Sequence, residues 1–494
     1  MKNPSQEKVQ SLLALVAAGD PGRALPSILQ FADAYPDSPT AHLFVGIVLA
    51  QQGNFDRAIN SLQKALSLNP RELDAQNYLG FILLKQNRPD DAAKYYESAL
   101  EIQRGNAKIE ENLVACYEAS ATLASKQGNF AKAVANHRKM AALRPENASA
   151  HFLLAVSLCQ AGDWKEAWTH ASMSIHKSPD HVQFLARAAI IAKALGKPDQ
   201  RLLDRILEIS VAGLLDTSTK MWAALMSGDP ELAFSFDLPG LNVMRWRDMS
   251  ALYRRTDLPA RLHALPAISG SFPHKNMRPL IYAGGDGVYA EKFATELIAS
   301  ALEKCPNCDF HLHLMNLGKF DPGKAFAEFP PDRLTWSIEE MGAVDKILYA
   351  PRRWLRLSQI QHYVERTIIL VDTDSIINGD IVKVLPGQFD VVLYDRSDEP
   401  WIHQTVNGAF LAVTPRGRDF TDFLAAYILH FEDLGIPKWF DDQFNMVSAR
   451  AWFQSNVPDV LIKYAPKSMM DWTGARHPGS LIWHAKGDLK KSLT

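Results

Sequence analysis

The chain has 494 residues, more than one ordinary domain holds, so two or three domains are expected. Hydrophobic residues make up 47% and charged ones 22%, the balance of folded globular protein. The 53 Lys and Arg against 55 Asp and Glu exclude a chain-wide field for nucleic acid or an anionic membrane, and no apolar run has the length of a bilayer span.

The run LLALVAA at 12–18 has the composition of a signal-peptide core, but the flank NPSQEKVQ is mixed rather than cationic. The same run fits a helix of the repeat described next, so a cytoplasmic protein is expected. A step of 34 residues organises the first 200 positions, with Gly19, Gly53, Asn87, Gly128, Gly162 and Gly196 at one turn position. Asn87 to Gly128 is 41 residues, which predicts seven extra residues, about two helical turns. Ala24, Ala58, Ala92, Ala133 and Ala167 each follow five residues after a turn, and Pro36, Pro70, Pro145 and Pro179 follow seventeen after, with Arg104 in the remaining place. Small residues let paired helices approach, Gly or Asn ends the first helix of a pair, and Pro separates the pairs. The stretch AHLFVGIVLAQQGNFDRAINSLQKALSLNP at 41–70 resembles the tetratricopeptide repeat. The resemblance implies an all-α superhelix of about five repeats and a partial sixth over residues 1–200, whose concave face binds a protein or peptide partner.

Residues 201–277 read as a helical connector that ends in the Pro/Gly/Ser-rich linker DLPARLHALPAISGSFP. Within it RWRDMSALYRR reads as a solvated amphipathic helix rather than a nucleic-acid patch. From Arg278 strands and helices alternate: PLIYAGG, AEKFATELIASALEK, FHLHLMNL, TIILV, DVVLY, GAFLAV and SLIWH. This predicts an α/β domain over 278–494 with a mainly parallel sheet, in which ligands gather at the carboxyl ends of strands. The chain has four cysteines, too few for a disulfide framework. CPNC at 305–308 has redox or zinc spacing, but it has no second pair, and His311 and His313 alternate along the next strand. A helix-to-strand loop is expected there rather than a metal site.

TIILVDTDSIINGD at 367–380 ends a hydrophobic strand in Asp372 and Asp374. On an extended chain residues i and i+2 share a side, so both carboxylates would face one hard cation while Thr373 turns away. Taken alone, such a pair is also what a solvated acidic loop looks like.

Four matches in order across 278–491 change that weighting. The domain resembles the nucleotide-sugar glycosyltransferases of GT-A fold, particularly family 8, which includes glycogenin and bacterial lipooligosaccharide galactosyltransferases. GGDGVYAEKF resembles the family's opening segment, which implies that Asp286 and Tyr289 contact the nucleobase. YAPRRWLRLSQI resembles its Arg segment, with Arg353 as the best match and Arg352 or Arg356 as alternatives. VNGAF and WFDDQFNM resemble its sugar-pocket motifs, which carries over to Asn407, Gly408, Asp442 and Gln443, with Asp441 as a helix cap. IWHAKGDLKK resembles the closing His-x-x-Gly-x-x-Lys motif, which implies His484 as a third metal ligand and Gly487 and Lys490 at the diphosphate. The family often continues with Pro-Trp after that Lys, whereas this chain has Lys491 and Ser492.

The resemblance implies a Mn²⁺- or Mg²⁺-dependent hexosyltransferase that uses a UDP-sugar donor and retains anomeric configuration. The acceptor would be a protein, peptide or glycan, and the repeats would bind that acceptor or a partner protein. The competing reading is a non-catalytic scaffold whose second domain only binds a nucleotide-sugar.

Overall fold

Five of the six periodic Gly and Asn positions sit where the backbone reverses between helices, and Gly19 lies outside the described residues. Gly53, Asn87, Gly128, Gly162 and Gly196 all take positive φ, between 57° and 83°, which ends one helix so that the next can fold back. Ala24, Ala58, Ala92, Ala133 and Ala167 have no exposed surface. The computed structural model describes residues 9–12, 14, 21–211, 213–238, 241–342, 348–396, 406–435, 441–471 and 479–484, and of 21, 23, 214, 407 and 441–443 the backbone alone. It divides into two units, Met1–Lys177 and Ser178–Thr494.

In the first unit helices run α1 (Pro21–Ala34), α2 (Pro39–Gln51), α3 (Phe55–Leu68), α4 (Leu73–Lys85), α5 (Pro89–Ile102), α6 (Ala107–Lys126), α7 (Phe130–Leu143), α8 (Ala148–Ala161) and α9 (Trp164–Lys177). Partners within a pair pack closely because their crossing points are small. A Cβ at Gly46 of α2 would stand 2.5 Å from Leu62 of α3, and one at Gly80 of α4 2.6 Å from Tyr96 of α5. The seven additional residues lengthen α6 to 20 residues, against 13 in both α2 and α4. Asn106 caps α6, its side chain accepting from the backbone N–H of Lys108 and Ile109.

The second unit opens with α10 (Val182–Ala194), α11 (Gln200–Glu208), α12 (Leu214–Met226), α13 (Trp246–Tyr253) and α14 (Leu258–His263), with a one-turn helix at Pro230–Ala233 in the longer connection between α12 and α13. The arginines of RWRDMSALYRR are largely matched by acids: Arg245 pairs with Asp237, and Arg255 with Asp257 and Asp433. The segment is a neutralised surface, as the amphipathic reading expects.

The sheet strands are β1 (Ile268–Gly270), β2 (Leu280–Asp286), β3 (Asp309–Met315), β4 (Leu334–Glu339), β5 (Ile368–Val371), β6 (Ser375–Ile377), β7 (Val391–Asp395), β8 (Val406–Val413), β9 (Ile462–Tyr464), β10 (Met470–Asp471) and β11 (Ile482–His484). Eight of them form one sheet in the order β1-β4-β3-β2-β5-β8-β7-β9, and β10-β11-β6 form a second. The large sheet is mixed, with four parallel pairings and three antiparallel ones. β8 runs antiparallel to both β5 and β7, since only ten residues separate β7 from β8, too few for a crossover helix. Part of the expected linker also enters the sheet, as β1 pairs antiparallel with the edge of β4.

Alternation along β2 divides the layers. Ile281 and Ala283 point into a core with Leu297, Ile298 and Ala301 of α15 (Thr295–Lys304), joined by Ile377, Met470 and Ile482 of the small sheet. Tyr282 points the other way, and its hydroxyl donates to the carbonyl of Arg353 on α16 (Tyr349–Tyr363) at 3.0 Å. That face is covered by α16, α17 (Arg418–Asp433) and α18 (Asp441–Asn456). CPNC is the expected helix-to-strand loop, with Cys305 capping α15 and Cys308 just before β3. Among the described residues no helix is long and apolar enough to cross a membrane.

Candidate metal centre

β5 is four aliphatic residues without exposed surface, and it ends in the middle of the sheet beside β2 and β8. The chain then turns sharply, and the Ser375 N–H donates to the Asp372 carbonyl at 3.2 Å. This turn, rather than extended alternation, brings the two carboxylates together. Thr373 does turn away: its hydroxyl donates to the Gly284 carbonyl at 3.1 Å, pinning the turn to the end of β2. Gly285 leaves room for it, since a Cβ there would stand 2.9 Å from Thr373 Oγ1.

After the turn β6 pairs antiparallel with β11, and the register sets His484 opposite Ser375. His484 Nδ1 thereby comes within 3.3 Å of Asp374 Oδ1 and 3.4 Å of Ser375 Oγ, and Nε2 within 3.7 Å of Asp372 Oδ2. One ligand atom from each of Asp372, Asp374 and His484 lies within 4.8 Å of the other two. Asp374 and His484 are buried and Asp372 is half-buried. Two carboxylates and one imidazole suit a first-row divalent cation that keeps further positions open. Among the described residues it is the only group of three or more such side chains so placed.

Arg353 reaches this cluster from α16. Nη1 donates to Asp372 Oδ1, and Nη2 to the Gly408 carbonyl at 3.1 Å. The β5–β8 register explains Gly408: Val371 pairs with Phe410, so the residue two before Phe410 extends past the end of β5. Arg352 and Arg356, the other register choices, turn instead to Glu339 of β4 at 3.6 and 2.8 Å. Glu339 is fully buried and also bonds His313 Nε2 at 3.2 Å. Burial pushes its carboxyl up, but the hydrogen bonds from His313 and Arg356 and the nearby Arg charges outweigh this and bring it down to about 2. Burial likewise holds the imidazoles of His311 and His313 below their ordinary range. Alternating histidines hinted at a polar line inside the sheet, but their partners Thr335, Ser337 and Glu339 come from a strand not predicted.

Asp286 ends β2, and its Oδ1 accepts the Tyr289 N–H at 2.8 Å, the bond of a helix cap. The Tyr289 ring is 37% exposed and lies 5.6 Å from Phe293. Gly287 permits the tight passage here, since a Cβ would stand 2.1 Å from the Leu317 carbonyl oxygen. Asn407 lies on β8, and Asp442 and Gln443 open α18, while their side chains lie outside the described residues. Gly487 and Lys490 lie outside them altogether. The sequence reading had no signal for Ser375 beyond its place after the carboxylate pair, and it assigned Thr373 no partner.

Comparison with known proteins bears on the first unit. The tetratricopeptide repeat family matches residues 12–59, 46–107 and 119–182. No curated protein matches the chain. Among solved structures, one described as YrrB, a tetratricopeptide protein with an unusual peptide-binding site, is 16% identical with a TM-score of 0.27, covering 42% of this chain and 96% of that one. MamA from Desulfovibrio magneticus RS-1, residues 41 to the end, is 22% identical with a TM-score of 0.27, covering 36% of this chain and 98% of that one. The N-terminal region thus carries tetratricopeptide repeats, a scaffold type that binds proteins.

Proposed function

We propose that the second unit is a metal-dependent glycosyltransferase of GT-A, family-8 type, which moves a hexose from a UDP-sugar to an acceptor hydroxyl. The observation that carries the reading is the convergence of Asp372, Asp374 and His484 at the carboxyl end of β5, with Arg353 against Asp372. That cluster stands on the residues that resemble the family's motifs, in a mixed α/β sheet where ligands collect at strand ends. The bound cation would be Mn²⁺ or Mg²⁺, and it supplies Lewis-acid neutralisation of the leaving diphosphate.

The chain's own groups have separate tasks. Asp372, Asp374 and His484 hold the cation, and Arg353 orients Asp372 through a charge-assisted hydrogen bond. Asp286 and Tyr289 take the uracil, the carboxylate accepting its imide N–H and the phenol ring stacking on its face. Asn407, Asp442 and Gln443 supply amide and carboxylate groups to the sugar hydroxyls. Gly487 lets the backbone approach the diphosphate, and Lys490 neutralises charge developing on it. The repeat array would bind the acceptor or a partner protein.

The test is UDP release from a panel of UDP-sugars with Mn²⁺, Mg²⁺ or EDTA, in wild type and in a Lys490→Ala chain. Metal-dependent release from one sugar, at least tenfold slower in the variant, is expected. No metal-dependent release from any sugar, alone or with acceptor proteins added, would leave the scaffold reading in its place.

A further inference from the structure

The thiols of CPNC have no task in the chemistry above, yet they are not placed at random. Cys305 and Cys308 are each 1% exposed, while Pro306 and Asn307 between them are exposed, so the pair lies one layer beneath solvent. Arg333 holds the loop in shape, donating to the carbonyls of Leu302, Cys305 and Cys308 at 2.7 to 3.2 Å. In that shape the Cys308 N–H donates to the Cys305 carbonyl at 3.0 Å, closing a tight turn between the two cysteines, and Cys305 Sγ lies 3.9 Å from the Gly379 carbonyl oxygen. A helix C-terminus disfavours a thiolate, but the Cys308 thiol and the Ile381 backbone act against it. The Cys308 hydrogen bond is foremost in holding the Cys305 thiol below its usual range, while the same bond and burial push Cys308 up.

The partner segment matters because it leads out of β6. Asn378 N–H donates to the Leu481 carbonyl at 2.7 Å and its side chain to the Ser480 carbonyl at 3.1 Å, which ties the turn to the start of β11. Gly379 packs on Leu481, where a Cβ would stand 2.5 Å from Cδ2. Cys305 therefore touches the clamp that sets β11, and with it His484, against Ser375.

We propose that Cys305 and Cys308 are a modification site, a reversible dithiol–disulfide pair whose oxidation loosens the β6–β11 pairing. The oxidant is a small-molecule disulfide. The Cys305 thiolate attacks one of its sulfurs, forming a mixed disulfide and releasing one thiolate. Cys308, giving its proton to that thiolate, then attacks Cys305 Sγ and expels the second as a thiol after it takes a proton from solvent. Two electrons pass from the protein to the oxidant, and one protein S–S bond forms. Cys305 then has no S–H for the Gly379 carbonyl, and its sulfur turns from Ile381 toward Cys308.

The proposal rests on the β6–β11 pairing, not on sugar chemistry, and its test needs no nucleotide. The full chain is treated with oxidised glutathione, quenched with an alkylating agent, weighed intact, and its amide exchange followed over 375–384 and 480–484. Oxidised wild type should carry two alkyl groups fewer than the reduced chain, a difference reversed by dithiothreitol, and exchange in those segments should rise severalfold. A Cys308→Ser chain should instead retain glutathione on Cys305. Both thiols alkylated after oxidant would overturn the proposal, as would a disulfide that leaves exchange across the β6–β11 pairing unchanged. Glutathione absent from Cys305 in the variant would overturn its role as the attacking thiol.

Discussion

Asp374→Asn exchanges one carboxylate of the cluster for an amide of the same shape. Asp374 is 5% exposed, its Oδ1 is 3.3 Å from His484 Nδ1, and the three ligand atoms lie within 4.8 Å of one another. At an effective dielectric of about 20, two ionised carboxylates at such a separation repel by roughly 3 kcal/mol. Without a cation the substitution relieves that repulsion, against one lost contact to His484, so the melting temperature should hold or rise. With a cation the sign reverses. A lost attraction of about 3 kcal/mol weakens binding roughly a hundredfold. At Mn²⁺ near 100 times the wild-type Kd, mass action stabilises wild type by about 2.7 kcal/mol and the variant by about 0.4 kcal/mol. Scanning calorimetry with MnCl₂ or EDTA should show a wild-type shift of roughly 5–10 °C and a variant shift under about 2 °C. Equal shifts in the two chains, or none in wild type, would refute the metal assignment. A clearly lower melting temperature of the variant in EDTA would refute the repulsion argument.

Three further outcomes follow. Glu339 has its folded-state pKa brought down to about 2 from an ordinary 4.5, so its stabilisation is present above 4.5 and is lost as pH falls through 2. Glu339→Gln should flatten the acid limb of stability across that window, by up to about 3 kcal/mol, read from urea midpoints against pH; an unchanged limb would refute the network's electrostatic role. In the repeats, Gly46→Val should cost about 1–3 kcal/mol through overpacking on Leu62. Gly53→Ala, with φ of +76° and open space around it, should cost about 1–2 kcal/mol from the backbone alone. A Gly46→Val chain as stable as wild type would contradict the close helix crossing.

The repeat array was legible because its signal is periodic and local. A positive-φ turn needs Gly or Asn and a close crossing needs a small residue, so the positions announce themselves every 34 residues, as Gly53 and Ala58 do. Strands β2, β5, β7 and β8 were legible as short runs rich in buried hydrophobic residues, and β3 by its alternation of Leu with His. β1, β6 and β10 were not, because two- or three-residue strands are defined by the partner they meet rather than by composition. The mixed sheet followed from a loop length that the sequence reading did not weigh. At the cluster, the residue identities were readable, but the means of convergence was not. Thr373 is fixed by Gly284 and His484 by Ser375, contacts separated by 89 and 109 residues. Glu339 went unnoticed for the same reason, as nothing near it in sequence shows that Arg356 and His313 will close on it.

The direct test of the cluster is electron–nuclear double resonance on Mn²⁺ bound with UDP. The spectrum of wild type should carry a ¹⁴N coupling from one imidazole together with ³¹P couplings from the diphosphate. In His484→Ala the nitrogen coupling should vanish while phosphorus remains. A wild-type spectrum with phosphorus and water couplings alone, the same as free Mn²⁺–UDP, would contradict the assignment of Asp372, Asp374 and His484 as the residues that hold the cation.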